Sequence, residues 1–348
     1  MGYQSIVKFD IVNTFVSIMF VPSYVRLYET GELERRIELL DSMLESCSIC
    51  PLECHVNRKK GEMARCYSRY LPIVSSYTPH FGEEPPLVGT KGVGNIFFGN
   101  CNLRCVYCQN YQISQNYREE IKNEVTFDRL ADIMLELQER GCHNIGLVSP
   151  THFVPQIVRA IYMAVGRGLN LPIIYNTNAY DSVKVLKLLD GIIDIYLPDL
   201  KYSDEAAGYH YSKIKGYPQF AKYSIKEMHR QVGSELVFGD DGLLKRGLII
   251  RHLVLPNDIA GSEEILRWIA NELGNDVALS IMSQYYPTNR AGSITLLSRQ
   301  IRESEYEKVL NLVEKFGFEN GWIQDFESQG HYRPDFTDRL IPFKDQVY

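Results

Sequence analysis

Short apolar runs alternate with longer amphipathic segments along most of the chain. The runs have the length and the β-branched content of buried strands. They predict strands at 95–98, 144–149, 172–176, 192–197, 248–255 and 277–282. Apolar residues that recur every three or four positions predict helices at 127–140, 153–165, 182–189, 259–273 and 303–316. Because strands and helices alternate, we predict an α/β fold of parallel strands joined by crossover helices.

The N-terminal part of the chain has a different pattern. Thr30 is a candidate cap for a helix whose apolar residues recur at helical spacing, namely Leu33, Ile37, Leu40 and Leu44. Cysteines follow this helix at short intervals. We therefore predict an N-terminal helical and cysteine-rich region at 1–90, and an α/β domain with a C-terminal extension at 91–348.

The apolar run 11–21 is the one long stretch of its kind in the sequence. It is too short to span a bilayer, and no small-residue cleavage pattern follows it. We interpret residues 1–25 as a packed or partly ordered extension and expect no membrane partner.

Composition and charge are those of a soluble enzyme. The 348 residues are 45% hydrophobic and 23% charged, and 37 basic against 43 acidic residues give a net charge of −6. No overall positive field attracts phosphate backbones, so we expect no nucleic-acid partner. Eight cysteines are too few for a disulfide scaffold in a chain of this length, which favours a reducing, cytoplasmic setting.

Three cysteines stand close together, at Cys101, Cys105 and Cys108. A [4Fe–4S] cluster normally takes one thiolate at each iron, so a C-x3-C-x2-C loop leaves one iron open to a substrate or cofactor. A structural zinc site prefers paired C-x2-C hooks with four ligands. The spacing therefore favours an iron–sulfur cluster with an open iron over a zinc site.

This loop resembles the signature of the radical S-adenosylmethionine (radical SAM) enzymes. Tyr107 fills the aromatic position before the last cysteine, and the apolar run 95–98 precedes the loop as a strand. The resemblance implies a partial (β/α)6 barrel, with S-adenosylmethionine bound to the open iron through its amino and carboxylate groups. It also implies that an electron from a donor such as flavodoxin or ferredoxin yields a 5′-deoxyadenosyl radical, which abstracts hydrogen from a substrate. Because oxygen damages such a cluster, we expect an anaerobic setting.

A second group of cysteines has the spacing C-x2-C-x3-C-x11-C, at Cys47, Cys50, Cys54 and Cys66. Four thiolates make a closed site, and both structural zinc and an auxiliary [4Fe–4S] cluster accept four thiolates. Spacing does not decide between the two metals. His55 and His80 are alternative ligands nearby, and four ordinary buried cysteines are the structural alternative.

Polar residues follow the apolar runs where the predicted strands end. They are Ser149, Thr151, Asn176, Asn178, Asp199, Lys201 and Arg251. Each has a structural interpretation, because Asn and Asp favour turns and Ser and Thr favour helix caps. In barrels of parallel strands, however, functional groups lie at the carboxyl ends of the strands. Their recurrence therefore favours a binding site.

The whole pattern is similar to that of the pyruvate formate-lyase activating enzyme, and more closely to its uncharacterised homologues that carry an extra N-terminal cysteine motif. The resemblance implies that the polar residues at the strand ends and Tyr107 bind the cofactor. The residues that approach its ribose and methionine are Asn176, Asn178, Asp199 and Lys201. Arg251 matches an arginine that pairs with the methionine carboxylate, a role that suits the fork of a guanidinium.

The chain departs from this family after the second predicted strand. Family members commonly have Gly-Gly-Glu there to receive the methionine amino group, whereas this chain has Ser149-Pro150-Thr151. The hydroxyl groups of Ser149 and Thr151, or backbone carbonyls beside them, are the candidate acceptors.

The resemblance implies either a protein substrate, as in a glycyl-radical activase, or a small-molecule substrate. The segment 201–244 is longer than the other connections and rich in tyrosine, so we expect it to form a wall of the substrate pocket. A non-catalytic iron–sulfur electron-transfer protein is the alternative function. An RNA-modifying enzyme would carry a basic recognition module, and the sequence shows none.

Overall fold

The computed structural model describes residues 2–6, 20–330 and 333–344, and within them ten strands form one sheet. The strands are β1 (Tyr3–Ser5), β2 (Val74–His80), β3 (Val93–Phe98), β4 (Ile145–Val148), β5 (Ile173–Thr177), β6 (Ile195–Pro198), β7 (Val237–Phe238), β8 (Leu244–Leu253), β9 (Ala278–Met282) and β10 (Gly321–Gln324). Nine run in the order β1-β10-β9-β8-β6-β5-β4-β3-β2, and β7 pairs with β8.

The seven strands from β10 to β3 are parallel to one another, and β1 and β2 pair antiparallel at the two edges. In the described residues no pairing joins β1 to β2, so the sheet stays open. An open, mostly parallel sheet with crossover helices is the architecture of a partial barrel. The predicted α/β fold is confirmed.

Twelve α-helices connect or flank the strands in the described residues. They are α1 (Ser23–Glu29), α2 (Glu32–Ser42), α3 (Pro85–Val88), α4 (Tyr111–Ser114), α5 (Tyr117–Glu120), α6 (Phe127–Glu139), α7 (Val154–Val165), α8 (Val183–Leu188), α9 (Glu205–Ser212), α10 (Tyr217–Val232), α11 (Ser262–Glu272) and α12 (Glu303–Lys315). None of the described helices is long and apolar enough to cross a membrane.

The two faces of the sheet have different surroundings because side chains alternate along each strand. On β5, Ile173 and Tyr175 belong to the large core that the helices share with the outer face. Ile174 belongs to a smaller cluster on the inner face, where Leu87 of α3 also packs. The short helix α3 therefore plugs the inner side of the open barrel with apolar side chains.

All six predicted strands are present, as β3, β4, β5, β6, β8 and β9. The sequence did not predict the strands at the two sheet edges. Polar residues and Pro79 break the apolar pattern of β2, and β1 has only three residues. The prediction failed there because sheet pairing, rather than local pattern, defines these strands.

The predicted cap of the first long helix was wrong. Gly31 is the N-cap of α2, in the left-handed region with φ 73°, and Thr30 ends α1 instead. The hydroxyl of Thr30 donates to the carbonyl of Arg26, 3.0 Å away. The buried face of α2 is as expected, with Leu33, Ile37 and Leu40 in the core.

Two further predictions concern the N-terminal part of the chain. Residues 11–19 of the apolar run lie outside the described residues. The strand β2 lies within the predicted region 1–90 and pairs with β3 of the predicted α/β domain. The sheet therefore continues across the predicted boundary, and the division into two regions stays a prediction.

Candidate functional site

A cavity opens on the inner face of the sheet at the carboxyl ends of the parallel strands. It encloses about 1160 Å³, part of which is open to solvent. The predicted site residues that line it are Cys101, Cys105, Tyr107, Cys108, Ser149, Asn176, Asn178, Asp199, Lys201 and Arg251. The carboxyl end of a parallel sheet is where such folds place their binding sites.

Among the predicted cofactor-binding residues, Thr151 is the one that does not line the cavity. Its hydroxyl lies 3.2 Å from that of Thr177 and is buried. Thr177 in turn donates to the carboxylate of Asp181 at 2.6 Å. Thr151 is therefore engaged in a hydrogen-bond network behind the wall of the cavity.

The three-cysteine loop lies between β3 and α4. The thiol of Cys101 accepts the backbone N–H of Leu103 at 3.4 Å and the side-chain amide of Asn178 at 3.5 Å. The thiol of Cys105 lies 3.0 Å from the hydroxyl of Ser212, and that of Cys108 lies 3.2 Å from the hydroxyl of Ser114. Each sulfur therefore has a polar partner beside it that can stabilise a thiolate.

Burial raises the pKa of the Cys101 and Cys105 thiols, and it raises the pKa of Cys108 to about 12. These thiols are therefore protonated when no metal is bound, and metal binding must release protons. A cuboid cluster takes one thiolate per iron, so its ligands surround a volume rather than a point. Three thiols with neighbouring donors around one cavity fit a [4Fe–4S] cluster.

Tyr107 fixes the loop to the barrel. Its ring packs edge-on against Tyr202, at a centroid distance of 6.4 Å, and against Tyr285, at 5.8 Å. Tyr202 follows β6 and Tyr285 follows β9, so the aromatic residue of the cysteine loop is held between two strand ends. This packing keeps the thiols of the loop facing the cavity.

A network of charged side chains lines the cavity beside the cysteine loop. The guanidinium of Arg251 donates to Asp199 at 2.8 Å, to Asn176 at 2.7 Å and to Glu83 at 3.1 Å. The ammonium group of Lys201 donates to the other oxygen of Asp199 at 2.7 Å. Although burial opposes ionisation, the charges of Arg251 and Lys201 hold the pKa of Asp199 below its ordinary value.

Glu83 is a cavity residue that the sequence analysis did not identify. It lies in the turn between β2 and α3, and its carboxylate also accepts the side-chain amide of Asn95 at 2.9 Å. In the sequence it is one of two acidic residues before a pair of prolines, a pattern typical of an ordinary exposed turn. No local signal places it in the cavity.

Comparison with known proteins agrees with this geometry. A family model described as the radical SAM superfamily matches residues 95–239. An uncharacterized protein of Methanocaldococcus jannaschii, MJ0674, is 32% identical over 298 residues, which cover 82% of this chain and 80% of that protein. The chain belongs to the radical SAM superfamily. It is therefore a radical SAM enzyme, and enzymes of this superfamily use a [4Fe–4S] cluster, S-adenosylmethionine and a reductant such as flavodoxin or ferredoxin.

Other similarities are more distant. A second uncharacterized protein of the same organism, MJ0808, is 28% identical over 166 residues, which cover 44% of this chain and 48% of that protein. A crystal structure of HydG, described as a maturase of the [FeFe]-hydrogenase, aligns with a TM-score of 0.45 and 13% identity. The alignment covers 70% of this chain and about half, 53%, of that chain. HydG from Carboxydothermus hydrogenoformans aligns with a TM-score of 0.43. At this level of similarity the HydG alignments carry no inference about this radical SAM enzyme.

The second cysteine group of this radical SAM enzyme follows α2. Cys47, Cys50 and Cys66 are buried, and Cys54 is partly exposed. The thiols of Cys47 and Cys54 interact with each other, which raises the pKa of Cys47 and lowers that of Cys54. Burial and the nearby Cys66 raise the pKa of Cys50. The four thiols are therefore neighbours in one cluster.

Neither histidine near these cysteines joins them. His55 is exposed and its ring lies 3.3 Å from the hydroxyl of Ser46. His80 lines the main cavity, where its ring packs against Phe343 at a centroid distance of 4.3 Å. In the described residues no three His, Cys, Asp or Glu side chains are placed to hold a single metal ion.

A buried guanidinium lies beside the second cysteine group. Arg58 is 0% exposed, and its nitrogens donate to the carbonyls of Arg69, at 2.6 and 2.8 Å, and His152, at 2.7 Å. No carboxylate of the described residues forms an ion pair with it. Its positive charge instead favours the thiolate of Cys47. Buried charges are normally paired, so an anionic partner at the cysteines fits this environment.

The two cysteine groups are connected by short contacts. The side-chain amide of Asn100, next to Cys101, donates to the carbonyl of Tyr67, next to Cys66, at 2.9 Å. The guanidinium of Arg104 lies over the ring of Tyr67, 4.7 Å from its centroid. The second group therefore packs directly behind the three-cysteine loop rather than in a separate domain.

Proposed function

We propose that the protein cleaves S-adenosylmethionine reductively at a [4Fe–4S] cluster bound by Cys101, Cys105 and Cys108, and that it abstracts hydrogen from a substrate held in the same cavity. The observation that supports this is the convergence of three thiols and a polar, charged wall on one cavity. The bound cluster and cofactor supply the radical chemistry, and the protein supplies position and exclusion of water.

The residues of the wall have separate proposed roles. Asn178 donates from its amide to the sulfur of Cys101 and to Asn102, at 3.5 and 2.8 Å, and so orients the cysteine loop. Asp199 offers carboxylate oxygens to the ribose hydroxyl groups. Arg251 presents its fork to the methionine carboxylate, for which two parallel charge-assisted bonds give both strength and direction.

A small-molecule substrate is favoured by how the cavity is covered. We refer to residues 333–344 as the C-terminal strap. Pro334 and Phe343 of the strap line the cavity, and Arg339 forms an ion pair with the buried carboxylate of Glu120 at 2.7 Å. A loop of a large partner, as a glycyl-radical activase requires, would have to displace this strap.

We also propose that Cys47, Cys50, Cys54 and Cys66 form a second metal centre, which is either an auxiliary [4Fe–4S] cluster or structural zinc, and zinc would require the thiols to move closer together than in this structure. Four thiolates with either metal give an anionic centre, and the neighbouring buried Arg58 supports such a charge. Metal analysis separates the two, because a second cluster raises the iron content from about four to about eight per chain.

Anaerobic reconstitution with iron and sulfide, followed by reduction and assay for 5′-deoxyadenosine, tests the proposed function. We expect wild-type protein to form deoxyadenosine and Cys105→Ala to lose this activity. Cys142→Ala is the matched control, because Cys142 is a buried cysteine outside both groups. A bound cluster with no cleavage under any reductant would contradict the proposal and favour an electron-transfer protein.

A further inference from the structure

Few carboxylates line the cavity, and a carboxylate is the strongest side-chain acceptor for an amino group. Of the described residues that line it, Glu83 and Asp199 carry carboxylates. Asp199 already accepts from two cations, Arg251 at 2.8 Å and Lys201 at 2.7 Å. The turn after β4 offers Ser149 but no carboxylate, and Thr151 is engaged elsewhere. Among the described residues, one oxygen of Glu83 accepts from Arg251 alone, so Glu83 gains a free oxygen for a ligand when Arg251 turns away from it.

The position of Glu83 is fixed from three strands. Asn95 of β3 and Asn176 of β5 donate to one of its oxygens, at 2.9 and 3.4 Å, and Arg251 of β8 donates to the other. Since β4 lies between β3 and β5, the carboxylate crosses the inner face in front of β4. A residue from the N-terminal part of the chain thus reaches the end of the strand that lacks an acid of its own.

Strand β4 is built to leave this space. Gly146 pairs with Asn95 in the sheet, and a Cβ at Gly146 would lie 2.0 Å from the side-chain oxygen of Asn95. Any larger residue at 146 would push Asn95 aside and remove one of the donors that hold Glu83. The glycine at position 146 of β4 therefore leaves the space that Asn95 needs to hold Glu83 in front of this strand.

The ion pair between Glu83 and Arg251 is well shielded from solvent, with side chains that are 9% and 13% exposed. Separating two shielded charges is costly unless each finds a new partner. The amino-acid end of S-adenosylmethionine provides both partners, because its carboxylate accepts from a guanidinium and its amino group donates to a carboxylate. Cofactor binding can therefore open this ion pair and give each of the two side chains a new hydrogen-bond partner.

We propose that Glu83 receives the amino group of the methionine part of S-adenosylmethionine, while Arg251 turns from Glu83 to the methionine carboxylate. This inference rests on the proposed function. Glu83 lies outside the region 95–239 that matches the superfamily model. It supplies the carboxylate that the turn after β4 lacks.

The test is cofactor binding rather than turnover. Dissociation constants are measured by equilibrium dialysis on the reconstituted holoenzyme, for S-adenosylmethionine and for its desamino analogue, in which hydrogen replaces the amino group. For Glu83→Gln we expect the affinity for S-adenosylmethionine to fall about tenfold or more, as for the loss of one hydrogen bond to a charged group. Affinity for the analogue should change by less than about twofold, since it lacks the donor.

Glu119→Gln is the control. Glu119 is an exposed glutamate that pairs with Lys122 and does not line the cavity, so its variant should bind both ligands like wild type. Asn95→Ala gives a second, milder variant, in which Glu83 keeps its charge but loses a donor. We expect the same selective loss in Asn95→Ala, at smaller size.

The outcomes separate this inference from the proposed function. If wild-type holoenzyme binds no S-adenosylmethionine, the proposed function fails whatever Glu83 does. If the wild type binds and Glu83→Gln weakens both ligands equally, Glu83 only supports the wall and the inference is wrong. Unchanged affinity for both ligands would also overturn it. The cluster absorbance and the melting temperature of each variant show that it is folded and loaded.

Discussion

The two cysteine groups differ in what surrounds them, although they pack against each other. The three thiols of Cys101, Cys105 and Cys108 line a cavity together with charged side chains from several strands. None of the four cysteines of the second group lines that cavity, and the free thiols of Cys47 and Cys54 interact with each other. The first group is open to a ligand, and the second is closed on itself.

The charges beside the two groups differ in the same way. Arg251 and Lys201, next to the open group, are paired with carboxylates that a ligand can compete for. Arg58, next to the closed group, donates to main-chain carbonyls that cannot move away independently of the backbone. An exchangeable partner suits binding and release, whereas a fixed one suits a permanent structural charge. The number of cysteines and the partners of the nearby cations therefore both distinguish an open, ligand-binding group from a closed, structural one.

Alanine substitutions in the two groups should give the largest contrast. We expect Cys108→Ala to abolish deoxyadenosine formation, because its iron loses a ligand, while the metal of the second group is retained. Cys50→Ala should instead lower metal content at the second group and the melting temperature, because a closed four-thiolate centre contributes directly to folding. Assay of product, metal content and melting on both variants checks this. Equal loss of product and melting temperature in the two variants would remove the distinction.

Removal of the buried cation should have the next largest effect. We expect Arg58→Met to lower the free energy of unfolding by about 3 kcal/mol, because an anionic centre beside it would lose its counter-charge in a buried setting. Arg65→Met is the control, since Arg65 is an exposed arginine of the same segment and should change stability little. Denaturant titration measures both. A stable Arg58→Met protein with full metal content would mean that the centre does not need Arg58 as its counter-charge.

Acid should lower the free energy of unfolding through His152, which lies between the two cysteine groups. Its carbonyl accepts from Arg58, and its ring lies 2.9 Å from the carbonyl of Gly99 in front of the three-cysteine loop. Complete burial lowers the pKa of His152 from 6.5 to about 3. The neutral ring therefore contributes stability that is fully present above pH 6.5 and is lost as the pH falls toward 3.

The size of this effect follows from the two pKa values. Between pH 7 and pH 5 the wild type should lose about 2 kcal/mol through His152. His152→Gln keeps an N–H donor for Gly99 without a titrating ring, so its stability should vary less over this interval. Denaturant titration at the two pH values, on both proteins, gives the difference. Parallel curves would mean that His152 is not the group that titrates.

The open group was largely predictable from sequence, because its signals are local. Cysteine spacing marks the loop, and alternating periods mark the strands whose polar ends line the cavity. Thr151 is an exception, since the partners that turn it away from the cavity come from Thr177 and the residues after it.

The residues that define the difference between the groups were not predictable, because their roles depend on distant contacts. Arg58 begins a basic run that would normally be exposed, and the structure buries Arg58 while leaving Lys59 and Lys60 at the surface. Glu83 gains its place from Asn95 and Arg251, which are 12 and 168 positions away. Neither relation leaves a periodic signal in the sequence.

The smallest expected effect concerns the cover of the open group. The C-terminal strap covers the cavity of the three cysteines through Pro334 and Phe343, and its Arg339 donates to Glu120 and to the carbonyl of Ser75, at 2.7 and 3.1 Å. We expect Arg339→Gln to cost about 1 kcal/mol, because glutamine keeps an amide donor for the buried carboxylate of Glu120 while the ion pair is lost, and to speed hydrogen exchange within 333–344.

Lys344→Gln is the matched control, because Lys344 belongs to the same strap but makes an exposed contact with Asp335 at 3.5 Å. Binding of S-adenosylmethionine should change by less than about twofold in both variants, since neither residue lines the cavity. If Arg339→Gln frees the strap and metal retention at the second group stays constant, the order of the strap affects the three-cysteine cavity and not the second group. If hydrogen exchange also becomes faster at the second group, the two groups unfold locally as one cooperative unit. The contrast between the open and the closed centre would then concern their ligands and charges, and not their local stability.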